Sequence, residues 1–285
     1  MDPLHFTAPQ QPAQNADGSI TALVATPARQ LAGATHITLT LPAGLPADRL
    51  AGRYMLARCG VQSEWERTHN WHLYLRRPLF VAGHRQTPGE QSTQEEWRFC
   101  LPFAGDPGYA WLAAQPPGTA VNLIGPLGNG FVLPDHARHL LVAAEPARLP
   151  ALLPLIDDML DRGGQVTIAI RSTTSVPASL LSALPVAVEI RHAATDEEWA
   201  ALLEATLLWA DQLAGWLPWP HLPSLAAQIR NIRMRLEKGF AHCLVDSDLA
   251  CGYGACLACA VPLAQGKVTR ACVHGPVFDL RDLVG

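Results

Sequence analysis

The chain has 285 residues, of which 49 % are apolar and 16 % charged, a composition typical of a globular protein large enough for two or three domains. The formal net charge is −4 and no long basic tract occurs, so we do not expect nucleic acid as a partner. Residues 205–226 are apolar with one charge, but Pro218, Pro220 and Pro223 interrupt them, so we expect no membrane span. The first residues show no positive region followed by an apolar stretch, so we expect no secretory signal and a cytoplasmic protein.

Short stretches rich in β-branched and aromatic residues, separated by Gly and Pro, occupy the chain up to about residue 136. Alternating polarity predicts strands there, and short antiparallel strands at this spacing favour a closed barrel. The expected strands are Ser19–Ala25, His36–Leu41, Arg53–Cys59, Trp71–Ala82, Glu96–Phe103 and Ala120–Ile124. The polar stretch Gly83–Glu95 predicts a flexible excursion between two strands. We therefore expect a flexible N-terminus at 1–18 and an antiparallel β-barrel at 19–136.

The pattern changes after residue 136 to alternating strand and helix signals. Alternation of this kind predicts a doubly wound α/β domain with a parallel sheet, here at residues 137–240. The expected strands are His139–Ala144, Gln165–Arg171 and Val186–Arg191, and the expected helices are Pro150–Arg162, Asp196–Ala210 and Leu225–Lys238. Residues 241–285 are dense in Cys and Gly and predict a small metal-held lobe. The fold class is therefore multidomain α+β.

Four of the seven cysteines fall within 22 residues near the C-terminus. Cys251, Cys256 and Cys259 have the C-x4-C-x2-C spacing of plant-type [2Fe–2S] centres, and Cys272 follows as the fourth thiol. Glycines between the first two cysteines permit the positive φ angles that a loop wrapped round a cluster needs. The spacing therefore predicts a [2Fe–2S] cluster that passes single electrons.

Two alternatives to a cluster remain open at this point. Zinc ribbons usually pair two short Cys-x2-Cys knuckles, and only Cys256 and Cys259 form one here. Four reduced structural thiols are the other alternative. Cys59, Cys100 and Cys243 stand apart and are interpreted as buried free thiols.

Several segments together resemble one known family. Residues 251–259, followed by Cys272-Val-His-Gly-Pro-Val-Phe278, resemble the cluster lobe of the electron transfer subunit of class B dihydroorotate dehydrogenase. Residues 75–79 (Leu-Arg-Arg-Pro-Leu) resemble its flavin motif, and 125–131 (Gly-Pro-Leu-Gly-Asn-Gly-Phe) its barrel-end sequence, although that segment alone could be a tight glycine loop. The resemblance implies a ferredoxin-reductase-like flavoprotein with a flavin-binding barrel, a nicotinamide-binding α/β domain and a cluster lobe. It also implies transfer of electrons between FAD, the cluster and FMN in a separate catalytic subunit.

The resemblance assigns a set of flavin contacts in the barrel. Arg77 falls on the arginine that contacts the FAD pyrophosphate, a role that suits the planar guanidinium. The other expected contacts are Pro78, Leu79 and Phe80 around the isoalloxazine, Leu101, Pro102 and Phe103 on a neighbouring strand, and Gly108 and Tyr109 at a phosphate. Phe80 departs from the family, which usually has a Ser there that bonds near flavin N5. We expect FAD as a cofactor, with altered hydride transfer.

A second departure concerns the nicotinamide nucleotide. The family has a Gly-rich turn after the first strand of the α/β domain, where a dinucleotide pyrophosphate approaches the backbone. Here residues 144–150 read Ala-Glu-Pro-Ala-Arg-Leu-Pro, without glycine and with Glu145 at the phosphate position. The family's Cys-Gly-Pro turn is replaced by Leu-Ala-Gly-Trp-Leu-Pro at 213–218. We therefore expect a degenerate domain that binds NAD(H) poorly or not at all.

The sequence thus predicts an electron-transfer flavoprotein with FAD and a [2Fe–2S] cluster, and its own NADH-oxidising activity is doubtful. No separate catalytic residues are predicted. The expected partner is the FMN-containing catalytic subunit of dihydroorotate dehydrogenase, in pyrimidine biosynthesis. The alternatives are a paralogue that serves another flavoenzyme, and a non-enzymatic binding protein stabilised by a metal.

Overall fold

The computed structural model describes residues 11–31, 33–60, 73, 75–88, 93–101 and 105–285. Its first part is a closed antiparallel barrel of six strands, in the order β2-β3-β6-β5-β4-β7 with β7 returning to β2. The strands are β2 (Ile20–Leu31), β3 (Ala34–Leu41), β4 (Tyr54–Ala57), β5 (Arg77–Pro88), β6 (Thr93–Leu101) and β7 (Ala120–Leu127). The short strand β1 (Ala13–Gln14) pairs with β2, so this part of the segment expected to be flexible is a strand. The predicted barrel is confirmed.

The barrel interior follows the alternation seen in the sequence. Along β3, Ile37, Leu39 and Leu41 are fully buried while the residues between them are only partly covered. Trp97 and Phe99 on β6 face the same core, since successive strand residues point to opposite faces. Helix α1 (Pro107–Ala113) packs against β2 and β3 and contributes Tyr109 to this core.

The prediction of a flexible excursion at Gly83–Glu95 is wrong for both ends of that segment. Strand β5 continues to Pro88 and β6 begins at Thr93, and the two strands pair throughout. The polar residues that suggested a loop interact across the strands instead: Arg85 forms an ion pair with Glu96. A polar outer face of a sheet and a polar loop have similar compositions, and composition alone did not separate them.

The second part is a six-stranded sheet in the order β10-β9-β8-β11-β12-β15. All its neighbouring strands are parallel except the pair β12 and β15, as the sequence predicted for a doubly wound domain. The strands are β8 (His139–Ala144), β9 (Gln165–Arg171), β10 (Glu189–Ala193), β11 (Gln212–Trp216), β12 (Ala241–Leu244) and β15 (Val277–Asp279). The helices are α2 (Leu153–Asp161), preceded by a 3-10 turn at Leu149–Leu152, α3 (Ala178–Leu181), α4 (Asp196–Thr206) and α5 (Leu222–Arg233).

The last two strands of this sheet, β12 and β15, lie in residues 241–285, which the sequence assigned to a separate cluster lobe. The cluster segment is therefore an insertion between β12 and β15, which are hydrogen-bonded to each other. It contains the hairpin β13 (Ala260–Pro262) and β14 (Val268–Arg270) and the short helix α6 (Ala271–His274), and α7 (Leu280–Val284) ends the chain. In the described part of the chain, no helix combines the length and apolarity that a membrane crossing requires.

Candidate iron–sulfur and flavin sites

The hairpin β13–β14 brings two of the four predicted ligands together. Cys259 immediately precedes β13 and Cys272 follows β14, and the amide of Ala271 donates to the Cys259 carbonyl at 2.9 Å. The open end of the hairpin therefore holds the two cysteines side by side. Their Sγ atoms are 3.1 Å apart, and both residues are buried.

The loop from Cys251 to Cys256 directs backbone amides at sulfur. Although burial raises the pKa of the Cys251 thiol, the amides of Cys256, Tyr253 and Ala255 outweigh it and lower that pKa to about 6. The amide of Gly254 points in the same way at Cys272, whose pKa burial and the Cys259 thiol nevertheless raise to about 12. Amides aimed at a thiolate stabilise negative charge, which is the environment that a metal-bound sulfur needs.

Two glycines are required in this loop for both conformation and space. Gly252 and Gly254 have φ values of +80° and +81°, which side-chain-bearing residues rarely adopt. A Cβ at Gly252 would lie 2.8 Å from side-chain atoms of Leu56 and Leu127 in the barrel. A Cβ at Gly254 would lie 2.7 Å from Val273. The sequence argument for the two glycines is therefore supported by the geometry.

The four thiols form two pairs and do not surround one point. Cys251 and Cys256 are within side-chain hydrogen-bonding reach of each other, and Cys259 pairs with Cys272. Among the described residues, no three His, Cys, Asp or Glu side chains are grouped so that they could hold one metal ion. A structural zinc takes four ligands round a single ion, whereas four thiolates share two irons in a [2Fe–2S] cluster. The paired arrangement fits the cluster better.

The cluster segment is attached to the barrel through Asn129, which follows β7. The Asn129 side chain donates to the carbonyls of His274 (3.2 Å) and Val277 (2.8 Å) and accepts from the Val277 amide (3.3 Å). Its own amide donates to the Gly275 carbonyl at 2.9 Å. The segment 125–131, which could have been a simple tight loop, therefore joins the barrel to the chain just after Cys272.

The described residues predicted to contact flavin come together where β5 begins. Arg77, Pro78, Leu79 and Phe80 are its first four residues, and Phe80 pairs with Cys100, next to Leu101 on β6. The side chains of Leu79, Leu101 and Tyr109 pack within the barrel core, so their contact with flavin remains a prediction. Pro102 and Phe103 lie outside the described residues.

Arg77 is oriented by an acidic neighbour at the start of α1. Its Nε lies 2.9 Å from both carboxylate oxygens of Asp106, which also caps α1 by accepting from the Tyr109 amide. A Cβ at Gly108 would lie 2.9 Å from Arg77 and 3.0 Å from Asp106, so glycine leaves room for this ion pair. The Tyr109 hydroxyl donates to the Pro78 carbonyl at 2.6 Å and ties α1 to β5. Arg77 and the backbone at 108–109 therefore lie close together, but the Tyr109 amide already donates to Asp106, so the phosphate contact at 108–109 remains a prediction.

Phe80 contacts the α/β domain at Trp216. The two ring centroids are 4.6 Å apart, and both side chains are almost fully buried. On its other side Phe80 lies 6.0 Å from the ring of Tyr54, its partner on β4. The position where the family usually has a serine is thus filled by an aromatic contact between the two domains.

The turn after β8, predicted to have lost its phosphate cradle, is closed by internal hydrogen bonds. The amides of Arg148 and Leu149 both donate to the Glu145 carbonyl at 3.0 Å, and Pro146 and Pro150 have no amide hydrogen. These amides are therefore not directed at a ligand.

Side chains also link the turn after β8 to the neighbouring strand ends. Arg148 forms an ion pair with Glu145 and bonds Asp246 at 2.7 Å. Asp246 in turn accepts from Trp216 Nε1 at 2.8 Å. Since ligands of open α/β sheets bind at the carboxyl ends of the strands, this network lies at the edge where a dinucleotide would bind.

Comparison with known proteins identifies the family. Residues 246–284 match the family model described as the iron–sulfur cluster binding domain of dihydroorotate dehydrogenase B. The dihydroorotate dehydrogenase B (NAD(+)) electron transfer subunit of Geobacillus kaustophilus is 31 % identical over 189 residues, covering 62 % of this chain and 70 % of that protein. The chain belongs to the family of dihydroorotate dehydrogenase B electron transfer subunits. The subunit of the same name from Shouchella clausii is 27 % identical over 223 residues, covering 74 % of this chain and 81 % of that protein.

Solved structures agree with the fold of this electron transfer subunit family. An NADH-dependent reduced ferredoxin-NADP oxidoreductase superposes with a TM-score of 0.67 at 16 % identity, over 92 % of this chain and 89 % of the other. Phthalate dioxygenase reductase gives a TM-score of 0.56 at 15 % identity, over 91 % and 78 %. At these identities the likeness shows the ferredoxin-reductase-like fold alone.

Several residues at these sites had not been singled out from the sequence of this family member. Some lie within or beside the quoted motifs and others far from them, and their contacts depend on the fold: Tyr54, Asp106, Asn129, Trp216 and Asp246. A polar residue between two glycines, as at Asn129, is the only signal among them that the sequence offered. The three isolated cysteines are buried free thiols as predicted, and burial raises the pKa of Cys59 and Cys243 to about 12.

Proposed function

We propose that the chain is the FAD- and [2Fe–2S]-containing electron transfer subunit of a class B dihydroorotate dehydrogenase, with the FMN-bearing catalytic subunit as its partner. The observation that carries this proposal is the cluster site: two thiol pairs, with loop amides aimed at Cys251 and Cys272, on a segment that contacts strand β4, the neighbour of the strand that carries the flavin motif. Bound FAD exchanges two electrons, and a [2Fe–2S] cluster carries them singly. The protein sets the distance between the two cofactors, their orientation and the electrostatic environment of each.

The chain's own residues have separate tasks in this proposal. Cys251, Cys256, Cys259 and Cys272 ligate the two irons, and the loop amides stabilise the negative sulfurs. Arg77 holds the FAD pyrophosphate beside the backbone of residues 108–109. Strand β4 lies between the two sites, because its residues pair with the start of β5 and Leu56 also lies close to Gly252.

The cofactor content tests this proposal directly. Protein purified without oxygen should show a flavin band and the broad red-brown absorption of a [2Fe–2S] cluster, with two irons and two sulfides per chain. Cys272→Ser should remove the cluster absorption, and Cys243→Ala, at a buried thiol outside the cluster site, should retain it. Colourless protein that holds zinc or no metal would refute the proposal.

NAD(H) is not the expected electron donor or acceptor of this family member. The closed turn after β8 and the Arg148–Asp246–Trp216 network lie at the nucleotide edge. In anaerobic stopped-flow mixing, we expect micromolar NADH to leave the flavin oxidised while dithionite reduces it. The Geobacillus kaustophilus relative, whose name specifies NAD(+), is the positive control. Rapid flavin bleaching by NADH would contradict this expectation.

The same closed edge favours a second candidate, an electron transfer subunit that serves another flavoenzyme. Affinity purification of the tagged chain from its own cells separates the two. Recovery of an FMN-containing dihydroorotate dehydrogenase subunit supports the first candidate, and recovery of a different flavoenzyme supports the second. Because none of the seven cysteines forms a disulfide, we propose the reducing cytoplasm as the compartment.

A further inference from the structure

Tyr54, the first residue of β4, lies at the junction of the barrel, the α/β domain and the cluster segment. Its side chain is fully buried. It pairs with Phe80 on β5 and with Leu127 on β7, the strands that lead to the flavin motif and to the cluster attachment. Tyr54 therefore lies between the two proposed cofactor sites.

The Tyr54 hydroxyl is unsatisfied within the described part of the protein. It is inaccessible to solvent, and no described atom accepts or donates a hydrogen bond to it. Buried polar groups in native proteins nearly always have a partner, so an unpartnered hydroxyl needs an explanation. A phenylalanine would fill the same space without this cost, so the only addition that tyrosine makes is the O–H group.

The tyrosine ring faces the chain that follows Cys272. A Cβ built on Gly128 would lie 3.2 Å from the Tyr54 ring edge and 2.7 Å from Pro276, so ring and loop flank the same glycine. Burial, and then negative charge at Cys272, Cys259 and Cys251, raise the pKa of the phenol. The phenol therefore stays protonated at neutral pH and keeps its O–H as a hydrogen-bond donor.

We propose that the Tyr54 hydroxyl donates a hydrogen bond to a sulfur of the [2Fe–2S] site and so raises the reduction potential of the cluster. The inference rests on the proposed function, because it requires the cluster. A donor to sulfur stabilises the more negative reduced state more than the oxidised state. Tyr54 is thus a positioning residue that sets how readily the cluster accepts an electron.

The test is a redox titration of the holoprotein, monitored by EPR of the reduced cluster. We expect Tyr54→Phe to lower the equilibrium constant for one-electron reduction about tenfold, a shift of about 59 mV to more negative potential. Thr206→Val is the control, because it removes a buried hydroxyl that donates to the Leu202 carbonyl on α4, outside the proposed cofactor sites. Its potential should equal that of the wild type.

A second variant decides the outcome if Tyr54→Phe fails to retain a cluster. Incorporation of 3-fluorotyrosine at position 54 keeps the shape and makes the phenol a stronger donor, so the potential should rise. Unchanged potentials in fully loaded Tyr54→Phe or in the fluorinated protein would overturn the inference. Failure of the proposed function is distinguishable, because the wild type would then carry no cluster.

Discussion

The attachment of the cluster segment to the barrel predicts the effect of Asn129→Ala. The substitution removes three side-chain hydrogen bonds, to His274 and twice to Val277, and leaves the backbone bond to Gly275 intact. A net hydrogen bond contributes about 0.5–1.5 kcal/mol, and Asn129 is exposed, so low values apply and the total loss is about 1.5–2.5 kcal/mol. If this loss falls on local opening of the segment, the open form becomes about tenfold or more populated.

Cluster release to an iron chelator measures this opening. We expect the rate of absorbance loss in Asn129→Ala to rise about tenfold, because the cluster is exposed only when its segment separates from the barrel. Asn15→Ala is the control, since Asn15 makes comparable side-chain bonds to Ser19 and Thr21 within the barrel. Equal release rates in the wild type and Asn129→Ala, or equal acceleration in Asn15→Ala, would refute this reasoning.

Three further predictions concern the flavin site, the pH dependence of stability and the cluster loop. Asp106→Asn removes the carboxylate that competes with a pyrophosphate for Arg77, while the asparagine amide still caps α1. FAD should therefore bind about fivefold tighter (~1 kcal/mol) in a fluorescence titration. Weaker FAD binding would show that Asp106 assists the binding instead. Burial is the main cause that lowers the pKa of His36 to about 4, so the unfolded state binds more protons between pH 6.5 and 4, and the free energy of unfolding falls as the pH drops through that window. His36→Gln should remove that part of the fall, about 3 kcal/mol at most, in urea titrations across this pH range. Gly254→Ala should lower iron content severalfold, whereas Gly266→Ala, also at positive φ but with no atom within 4 Å of its Cβ, should not.

The elements that the sequence predicted best are those whose signal is local. Strands β8 and β9 have the bounds expected from their apolar runs, since buried parallel strands are nearly continuous in apolar residues. The cluster ligands could be predicted equally well, because the cysteine spacing and the intervening glycines are local features of one loop. Helix α4 begins at the predicted residue and ends four residues early, and α5 begins three residues before and ends five residues before the predicted bounds.

The parts that the sequence did not reveal depend on partners elsewhere in the chain. Strands β11, β12 and β15 are only three to five residues long, and they are strands because each adds to an existing sheet edge. The apolar stretch 205–226 contains β11, which is buried because it lies between β8 and β12. Asn129 likewise gains its importance only from residues about 150 positions later.

The two departures from the family pattern meet at a single contact. Phe80 replaces the usual flavin-motif serine, and Trp216 lies where the nicotinamide turn would be, and their rings pack together. Trp216 is held by Asp246, which is held by Arg148 in the turn that lacks glycine. Replacing any one of these four residues leaves a buried aromatic ring or a carboxylate without its partner. The two departures from the family pattern are therefore coupled through direct contacts. In the proposed function these residues replace the usual nicotinamide contacts, and we expect electrons to reach or leave the protein through the cluster segment, where Cys256 is exposed.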